Sequence, residues 1–481
     1  ERYNSADVSY QPPFANSVAT TVESKLSQII SVKDFGAVGD GVADDPVAIQ
    51  AAVDAAQNVE FIGGESYLLT SEITVPSTCK SLRFNGAVLL VDHAGPDYAG
   101  NTAAFRANHA VEYADGVFEA QNKDYTEYYG WTSAAGWVKS TSPLVGQTET
   151  HTLTAREYLF GLTGAQGSYF HGNKFDGFYD ATAISRVGGA PQKSDPLTRF
   201  IGNEAVNCGA GTAGVQVGFK FNYISNLVVD GNRSYFGAEH TWSSCQNVMI
   251  SNNVFFNPTT PTIDVGGSPA AGYKSKHITI TGNISSGRDA IVCELGVEHI
   301  TITGNVCEIT SVAPSGTGIG VATQFAGGQG IEFVNITGNT IRKYNDDYSQ
   351  PYAYGILVAT QSGSDAILSN VLVADNIIPP NSIEGIRIQG NATIAGFKIN
   401  VTGNSLNDSY RPLLGINITR AKFTDNDLRA YVYQGSGSAA FVMEDCGETT
   451  CAYNIWHGSD LSTYGHINVF RLSGAVGGLK F

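Results

Sequence analysis

Two acidic residues occupy matched places in a repeated pattern of the sequence. Asp264 lies eleven residues after Asn253, and Glu294 lies eleven residues after Asn283. Each acid alternates with apolar neighbours, so it faces outward if those neighbours face a core. Hydrolysis of a glycosidic bond uses two carboxyl groups, one of them as a general acid. We therefore assign Asp264 and Glu294 as the candidate catalytic pair.

The separation of this pair depends on how the two segments align. Equal offsets from the asparagines would stack the acids in one column, about 4.8 Å apart at the backbone, which suits a retaining glycosidase. Matching the flanking apolar residues instead shifts Glu294 by two positions, and the separation grows to about 8 Å, which suits an inverting enzyme. The sequence leaves both alignments open. In either case, mutual repulsion is expected to raise one of the two pKa values, as a general acid requires.

Further candidates surround the pair. His240 and Trp242 have the same parity, and we predict that both face outward, Trp242 to stack on a sugar and His240 to donate to a hydroxyl or act as a base. Glu239 is expected to face the other way. Arg288 and Asp289 enter the segment of the second acid, where they are either substrate-binding residues or an ordinary turn.

Two more sites could contact a polymer. Asp346 and Asp347 are flanked by tyrosines, and this insert is either a groove wall, an alternative home for the acids or a solvated loop. Arg387 is predicted to face outward, where it binds an acidic sugar or pairs with an acid of a neighbouring subunit.

The elements that position these residues come from one recurring phrase: two apolar residues at alternate positions, then a turn that ends on Asn. The clearest copies end at Asn283, Asn305 and Asn339, and the shortest intervals are 21 and 22 residues. Period-2 alternation predicts strands, and such a unit holds three short strands with no room for a helix. Stacked units form an all-β, right-handed, single-stranded parallel β-helix. Gly or Asp before Asn suits a bend with positive φ, and the stacked asparagines are expected to share hydrogen bonds.

Composition and charge narrow the function further. The 481 residues carry a formal net charge of −16, which disfavours nucleic acid and anionic membranes as partners. No apolar run reaches the roughly 18 residues that a membrane span needs, so we expect no membrane insertion, and no signal peptide is visible. The seven cysteines are scattered, which predicts buried apolar residues. No metal or cofactor motif is present, and we expect neither.

A capping element is expected near the N-terminus, because a β-helix leaves an open strand edge at each end. Pro46 fits the first position of an Ala-rich helix that runs to Ala56, and Asp44 or Asp45 could cap it. We predict that this helix covers the N-terminal end of the tube.

The segment from Val32 to Pro46, with the helix after it, resembles the N-terminal signature of the pectate-lyase-like β-helix superfamily. With the stretch from Ser17 to Leu26, it resembles the junction between the virion anchor and the β-helix of phage tailspike depolymerases. The resemblance implies a homotrimer on the virion that binds bacterial surface polysaccharide, O-antigen or capsule. It also implies a preceding segment that attaches to the phage tail or baseplate, synthesis in the host cytoplasm and action at the bacterial surface. It transfers no catalytic residues.

The predicted organisation has four parts. Residues 1–31 form the junction, 32–60 the signature and helix, 61–455 the β-helix, and 456–481 a C-terminal cap or trimer contact. An insertion is expected at about 86–168, where an aromatic cluster packs it onto the tube or lines a sugar groove. The predicted activity is endo-glycoside hydrolysis by a tailspike depolymerase. A polysaccharide lyase on the same fold and a non-catalytic glycan-binding receptor spike are the alternatives, and a host adhesin is a weaker one.

Overall fold

The strands of this chain form three long parallel sheets that wind into one tube. The computed structural model describes residues 4–92, 103–121, 125–155, 158–178, 180–186, 191–208, 217–237, 239–267, 273–312, 315–322, 330–360, 366–391, 395–430, 439–458 and 468–473. Within these ranges, two sheets have 15 strands and the third has 14. In each of these three sheets, neighbouring strands pair in parallel and come from successive turns of the tube. The predicted all-β parallel β-helix is therefore confirmed.

We name the sheets A, B and C in the order in which the chain visits them. Sheet A consists of Ile30–Ser31, Asn58–Glu60, Ser81–Arg83, Glu112–Ala114, Tyr169–His171, Thr198–Ile201, Ser225–Asp230, Gln246–Ser251, Ser275–Thr281, Val297–Thr303, Ile331–Thr337, Leu368–Ala374, Gly396–Thr402, Ile418–Thr424 and Gly447–Ala452.

Sheet B follows sheet A after a sharp corner. Its strands are Asp40–Asp44, Ser66–Leu69, Val88–Val91, Val117–Ala120, Lys174–Asp176, Glu204–Cys208, Arg233–Gly237, Val254–Asn257, Ile284–Gly287, Val306–Ile309, Thr340–Lys343, Ile377–Ile378, Ser405–Ser409, Asp427–Ala430 and Ile455–Gly458.

Sheet C completes each coil, by which we mean one turn of the tube. Its strands are Ile73–Thr74, Ala103–Ala107, Tyr158–Thr163, Asp180–Ser185, Val217–Asn222, Glu239–Ser243, Ile263–Gly266, Asp289–Glu294, Thr317–Ala322, Tyr352–Ala359, Ser382–Gln389, Arg411–Ile416, Ala439–Glu444 and Asn468–Ser473.

An asparagine ladder lines the corner between sheets A and B. At a representative rung, the backbone N–H and Nδ2 of Asn283 each donate to Oδ1 of Asn305 at 2.9 Å. Nδ2 of Asn305 donates in turn to Oδ1 of Asn339 at 2.9 Å and to the carbonyl of Ile280 at 3.0 Å. The ladder satisfies buried polar groups that the sharp corner removes from the strand pairing, as the repeat predicted.

The ladder is continuous over many coils. Its members are Asn173, Asn203, Asn232, Asn253, Asn283, Asn305, Asn339, Asn376, Asn404, Asn426 and Asn454. The residue before each asparagine has a φ between 54° and 68°, and it is Gly, Asn or Asp at every position except Tyr453. The predicted positive-φ bend is therefore confirmed.

The interior of the tube is one continuous hydrophobic core of aliphatic and aromatic side chains. The inward positions of sheet C show the rule, since Ile263 pairs with Ile291 and Val265 with Cys293. All seven cysteines are buried and free, which confirms that they act as small apolar residues.

Two helices lie near the N-terminus, a short one at Val22–Leu26 and a longer one at Pro46–Ala55. The longer helix begins with Pro46 as predicted and contacts Asn58–Glu60 and Ile73–Thr74, the first strands of the tube. Asp45 occupies the predicted N-cap position, but its side chain makes no capping hydrogen bond and instead accepts from the backbone N–H groups of Val38 and Gly39 at 2.6 and 3.2 Å. Asp44 accepts from Thr70.

Smaller elements accompany the tube. The 3₁₀ helices are Ser5–Asp7, Val32–Phe35 and Tyr344–Asp346, and Ser9–Tyr10 pairs antiparallel with Thr20–Thr21. Among the described residues, no helix combines the length and the apolar character that crossing a membrane requires.

The inserted subdomain is a three-stranded antiparallel sheet of Tyr125–Thr132, Gly136–Ser140 and Glu149–Ala155. It is narrower than the predicted insertion at 86–168, because strands such as Ala103–Ala107 and Glu112–Ala114 pair within the coils. Its aromatic residues pack it onto the tube, one of the two roles expected for them. Tyr129 and Trp137 are buried against partly buried side chains of sheet B and its loops: Phe236, Phe256 and Tyr344.

Candidate active site

Three carboxyl groups lie along a diagonal on the outer face of sheet C. Asp264 pairs in register with Thr241, two residues beyond Glu239, and Glu294 pairs with Gly266, two residues beyond Asp264. Each step of the diagonal crosses one strand and advances two residues, about 8 Å at the backbone. We call Glu239, Asp264 and Glu294 the carboxyl diagonal.

The register decides between the two alignments that the sequence left open. The inward apolar residues match, since Ile263 pairs with Ile291, and Asp264 pairs with Val292 rather than with Glu294. The alignment by equal offsets from asparagine is therefore wrong. The core fixes the register because a slip would carry apolar side chains out of the tube.

Asp264 is the most deeply set of the three acids. Its Oδ1 is buried and has no hydrogen-bond partner among the described residues. Burial, and then the charges of Glu239 and Glu294, raise the pKa of Asp264 well above its ordinary value. These surroundings favour the protonated form of the carboxyl group, which is the form that a general acid uses.

The two flanking acids differ in their surroundings. Burial, and then the charge of Glu294, raise the pKa of Glu239 to about 7, while Arg288 and Lys220 act in the opposite direction. Burial and the charge of Asp289 raise the pKa of Glu294, and Arg288 again opposes the shift. The diagonal therefore offers carboxyl groups of graded proton affinity on one surface.

Arg288 and Asp289 stand beside this diagonal, at the entry to the strand of Glu294. Nε of Arg288 donates to Oδ2 of Asp289 at 2.7 Å. The backbone carbonyl of Arg288 accepts from the N–H of Thr317 and the hydroxyl of Ser311. The side chain of Arg288 is 44% exposed, and its charge lowers the pKa of both Glu239 and Glu294, so Arg288 can contact a bound polymer.

His240 and Trp242 do not face outward, so the predicted orientation is wrong. Both are fully buried, with His240 paired with Ile263 and Trp242 with Val265 inside the tube. Nδ1 of His240 accepts from the N–H of Phe219, and burial lowers the pKa of His240 to about 3, so the ring is neutral. Neither side chain can touch a polymer outside the tube.

Asp346 and Asp347 lie in a turn that supports the inserted subdomain. Neighbouring Tyr344 and Asn345 donate to Glu149 of that subdomain at 2.8 and 2.7 Å. Asp347 accepts from the N–H of Ser349. The two aspartates are not part of the carboxyl diagonal, and a role in substrate binding stays a prediction.

Arg387 faces outward as expected, on the strand Ser382–Gln389 of sheet C. Its Nη1 donates to Glu384 at 3.1 Å and its Nε to Gln389 at 2.9 Å. It therefore occupies the same face as Asp264, several coils further along the tube.

Glu239 is the site residue that the sequence did not reveal. It was assigned to the inner face because His240 and Trp242 were assigned to the outer one, and one error of parity exchanges all three. A signal was present: Phe219 and Phe221 have the spacing of His240 and Trp242, and aromatic pairs at that spacing mark the inward positions of this sheet.

Within the described part of the chain, no group of three or more His, Cys, Asp or Glu side chains is arranged to hold a metal ion. The carboxyl diagonal is too extended for such a group.

Comparison with known proteins finds similar folds over most of the chain, whereas the matches in sequence cover only short segments. No family model matches the chain. A segment of 61 residues is 51% identical to the mannuronan C5-epimerase AlgE6 of Azotobacter vinelandii and covers 11% of this chain and 7% of the epimerase. Another comparison gives 32% identity over 63 residues with the tail spike protein of Escherichia phage K1E, 13% of this chain and 8% of the spike. The chain therefore spans a small fraction of the curated relatives that it matches.

Solved structures are similar over most of the tube. Pre-mature gene product 12 of bacteriophage phi29 aligns with a TM-score of 0.61 and 16% identity, over 92% of this chain and 57% of that one. A mutant tailspike protein of E. coli bacteriophage HK620, in complex with a pentasaccharide, aligns with a TM-score of 0.52 and 11% identity, over 98% and 82%. The structural neighbours thus include phage tailspikes, and the likeness shows a tailspike-like parallel β-helix fold.

Proposed function

We propose that the chain is a tailspike depolymerase, an endo-acting glycoside hydrolase that cleaves a bacterial O-antigen or capsular polysaccharide. The observation that carries the proposal is the carboxyl diagonal on the outer face of sheet C, where Asp264 pairs in register between the strands of Glu239 and Glu294. A site on the side of a long tube suits binding within a long polymer rather than at its end.

In the proposed reaction, Asp264 is the general acid and Glu294 the general base. The raised pKa of Asp264 supports the first role, since the group keeps its proton until the leaving oxygen takes it. Burial and Asp289 raise the pKa of Glu294, and the charge of Arg288 opposes that shift by favouring the ionised form that a base needs. The backbone separation of about 8 Å leaves room for a water molecule between the groups, which favours inversion at the anomeric carbon.

The lyase alternative has less support from the site. Elimination from a uronic acid requires a base and a group that neutralises the uronate carboxylate. Three clustered acids with Asp289 beside them oppose a carboxylate at that position, and Arg288 is already paired with Asp289. The receptor-spike alternative leaves the raised proton affinity of Asp264 without a use.

The finer features of the proposal rest on resemblance. The N-terminal signature and the tailspike-like fold support a homotrimer on a phage virion, attached to the tail or baseplate through a preceding segment. On the same basis we propose synthesis in the host cytoplasm and action at the bacterial surface. The helix Pro46–Ala55, which contacts the first strands of the tube, is proposed as its N-terminal cover.

The test is incubation with a panel of purified O-antigens and capsular polysaccharides, followed by mass spectrometry of the products. Hydrolysis predicts fragments that carry one added water and no new double bond. Proton NMR at early times should show inversion of the anomeric configuration. Fragments with an unsaturated uronate would establish a lyase, and binding without any shortening of the polymer would establish a receptor spike.

A further inference from the structure

The outer face of sheet C continues beyond the acids toward a group of cationic residues. In register, Asp264 is followed on successive strands by Val292, Gly320, Leu357 and Arg387. Four strand steps correspond to about 19 Å along the tube. Between the charged ends, the central column carries only a valine, a glycine and a leucine. This column is uncharged, and it runs along the outer face of sheet C between the acids and the arginines.

Arg387 and Arg411 form the cationic end of this path. Both donate to the same carboxylate, Glu384, at 3.1 and 3.2 Å. Glu384 is nearly buried, with 5% of its side chain exposed, whereas the side chain of Arg411 is 44% exposed. Two guanidinium groups therefore face one carboxylate, and the cluster carries a net positive charge.

The arginines are held in place before any ligand arrives. Arg387 also donates to Gln389 at 2.9 Å and lies over the ring of Tyr354, with 5.9 Å from its guanidinium carbon to the ring centroid. A fixed planar guanidinium binds carboxylates in a defined geometry. Arg411, whose Nη1 donates to Glu384, is the more exposed of the two arginines. Such a cluster contrasts with the net charge of −16 of the whole chain.

The two ends of the path impose opposite preferences on a charged polymer. The carboxyl diagonal repels a carboxylate, because Glu239, Asp264 and Glu294 place three acidic groups on one face of neighbouring strands. The arginine cluster attracts a carboxylate. A polymer with widely spaced acidic sugars is therefore bound in one register, with neutral sugars over the acids.

We propose that Arg387 and Arg411 form a subsite for a carboxylate-bearing sugar, about four coils from Asp264. The substrate class is then an acidic surface polysaccharide that is cleaved between neutral sugars at a fixed distance from its carboxylate. This inference rests on the proposed function, since it assigns the path leading from the proposed cleavage site.

The test compares Arg411→Gln with a matched control, Arg420→Gln. Arg420 is also an exposed arginine paired with a glutamate, Glu448, but it lies on sheet A. The probes are the acidic polysaccharides of the panel in native form and after carboxyl reduction, which converts each carboxylate to an alcohol. With native polymer, Arg411→Gln is expected to raise KM about tenfold, the loss of about 1.4 kcal/mol of binding, with kcat little changed. With reduced polymer, the wild type and Arg411→Gln should have equal KM values, and Arg420→Gln should match the wild type throughout.

Equal KM changes on native and reduced polymer would overturn the subsite, as would cleavage of neutral polysaccharides alone. A second variant, Glu384→Gln with Arg387→Gln and Arg411→Gln, removes the buried carboxylate together with both of its partners, so it abolishes the net positive charge and leaves no unpaired carboxylate. It should lose the same preference for native polymer. If no polymer is cleaved, the proposed hydrolysis fails, and binding of the same native and reduced probes to a glycan array still tests the subsite separately.

Discussion

The asparagine ladder and the carboxyl diagonal are two ways of stacking polar side chains on one scaffold. In the ladder, each residue accepts from the asparagine before it and donates to the one after it, and all but the last members are buried. In the diagonal, three like groups converge, and Oδ1 of Asp264 has no partner among the described residues. One stack is complementary, and the other is repulsive.

The comparison shows which stacked polar side chains stabilise this fold and which destabilise it. Asn can be both donor and acceptor, so a column of identical residues satisfies itself at every coil. Ionised Asp and Glu only accept, so adjacent carboxyl groups destabilise one another unless one holds a proton. Local destabilisation of this kind is typical of a catalytic site.

The largest expected effect breaks the diagonal at its centre. Asp264→Asn and, separately, Glu294→Gln should each lower kcat on a cleaved polysaccharide by about 10²- to 10⁴-fold, because each removes a group that transfers a proton. Neither substitution should lower thermal stability, and both should raise it near neutral pH, because burial raises the pKa of both acids and an uncharged amide does not carry that cost. Reducing-end release measures activity, and differential scanning fluorimetry measures stability.

Glu298→Gln is the matched control, because Glu298 is a partly buried acid on sheet A that pairs with Lys276. It should keep wild-type activity. Full activity in both Asp264→Asn and Glu294→Gln would move the catalytic acids elsewhere on the tube.

The next effect breaks the ladder. Asn305→Ala removes the acceptor of the Asn283 N–H and Nδ2 groups, which are buried. The Asn283 N–H then loses its partner, whereas Nδ2 still donates to the carbonyl of Ile250. One buried donor without a partner costs on the order of 1–3 kcal/mol in the free energy of unfolding. Guanidinium denaturation should show this loss, while kcat of the folded protein stays close to that of the wild type.

Asn400→Ala supplies the comparison, since Asn400 lies on the outer face of sheet A, outside the ladder. It should change stability by less than about 0.5 kcal/mol. A ladder variant as stable as this control would show that solvent or neighbouring groups replace the asparagine.

The smallest expected effect is a pH-dependent change in stability that comes from one acid of the carboxyl diagonal. The pKa of Glu239 rises from 4.5 to about 7 on folding, so the folded protein binds the proton more tightly and loses stability as pH rises through this range. Glu239→Gln removes that loss and should stabilise the protein at pH 8 by on the order of 1–3 kcal/mol, with little difference from wild type at pH 4. Denaturation curves at the two pH values measure it.

Glu298→Gln should change the stability at pH 8 in the opposite direction in the same experiment. Burial raises the pKa of Glu298, but the hydrogen bond and charge of Lys276 lower it to a net value below normal. This contribution is present at pH 8 and is lost as pH falls, so its removal destabilises the protein at pH 8. Equal behaviour of the two variants would contradict the assignment of Glu239 to the repulsive cluster.

The fold could be predicted from the sequence because its rules repeat. The phrase that ends on Asn requires a positive-φ residue and an inward pair, and both recur in coil after coil. The sequence predicts an insertion that is too long for the same reason. The coils at Ala103–Ala107 and Glu112–Ala114 lack the phrase, and its absence was interpreted as the absence of a coil.

The candidate site was only partly predictable, because it depends on the register of the sheet C strands and on one polar residue, His240, that faces the core. Asp264 and Glu294 were identified as acids that break a neutral column, but their offset needed the observed pairing. The inward position of His240 could not be inferred from polarity, since imidazole is usually exposed or bound to a ligand. Here its ring stacks on Phe219 at 4.6 Å, and a backbone N–H satisfies one nitrogen.

Because sheet C is built coil by coil, distances along the tube take only values separated by one coil. The distance from Asp264 to Arg387 can change only by the gain or loss of a whole coil, which moves one charge relative to the other by about 4.8 Å. Duplication of a coil between them would leave every strand pairing intact and alter only the span that a bound chain must bridge. A scaffold of this kind can be retuned to a different sugar repeat in discrete steps, without redesign of the residues at either end.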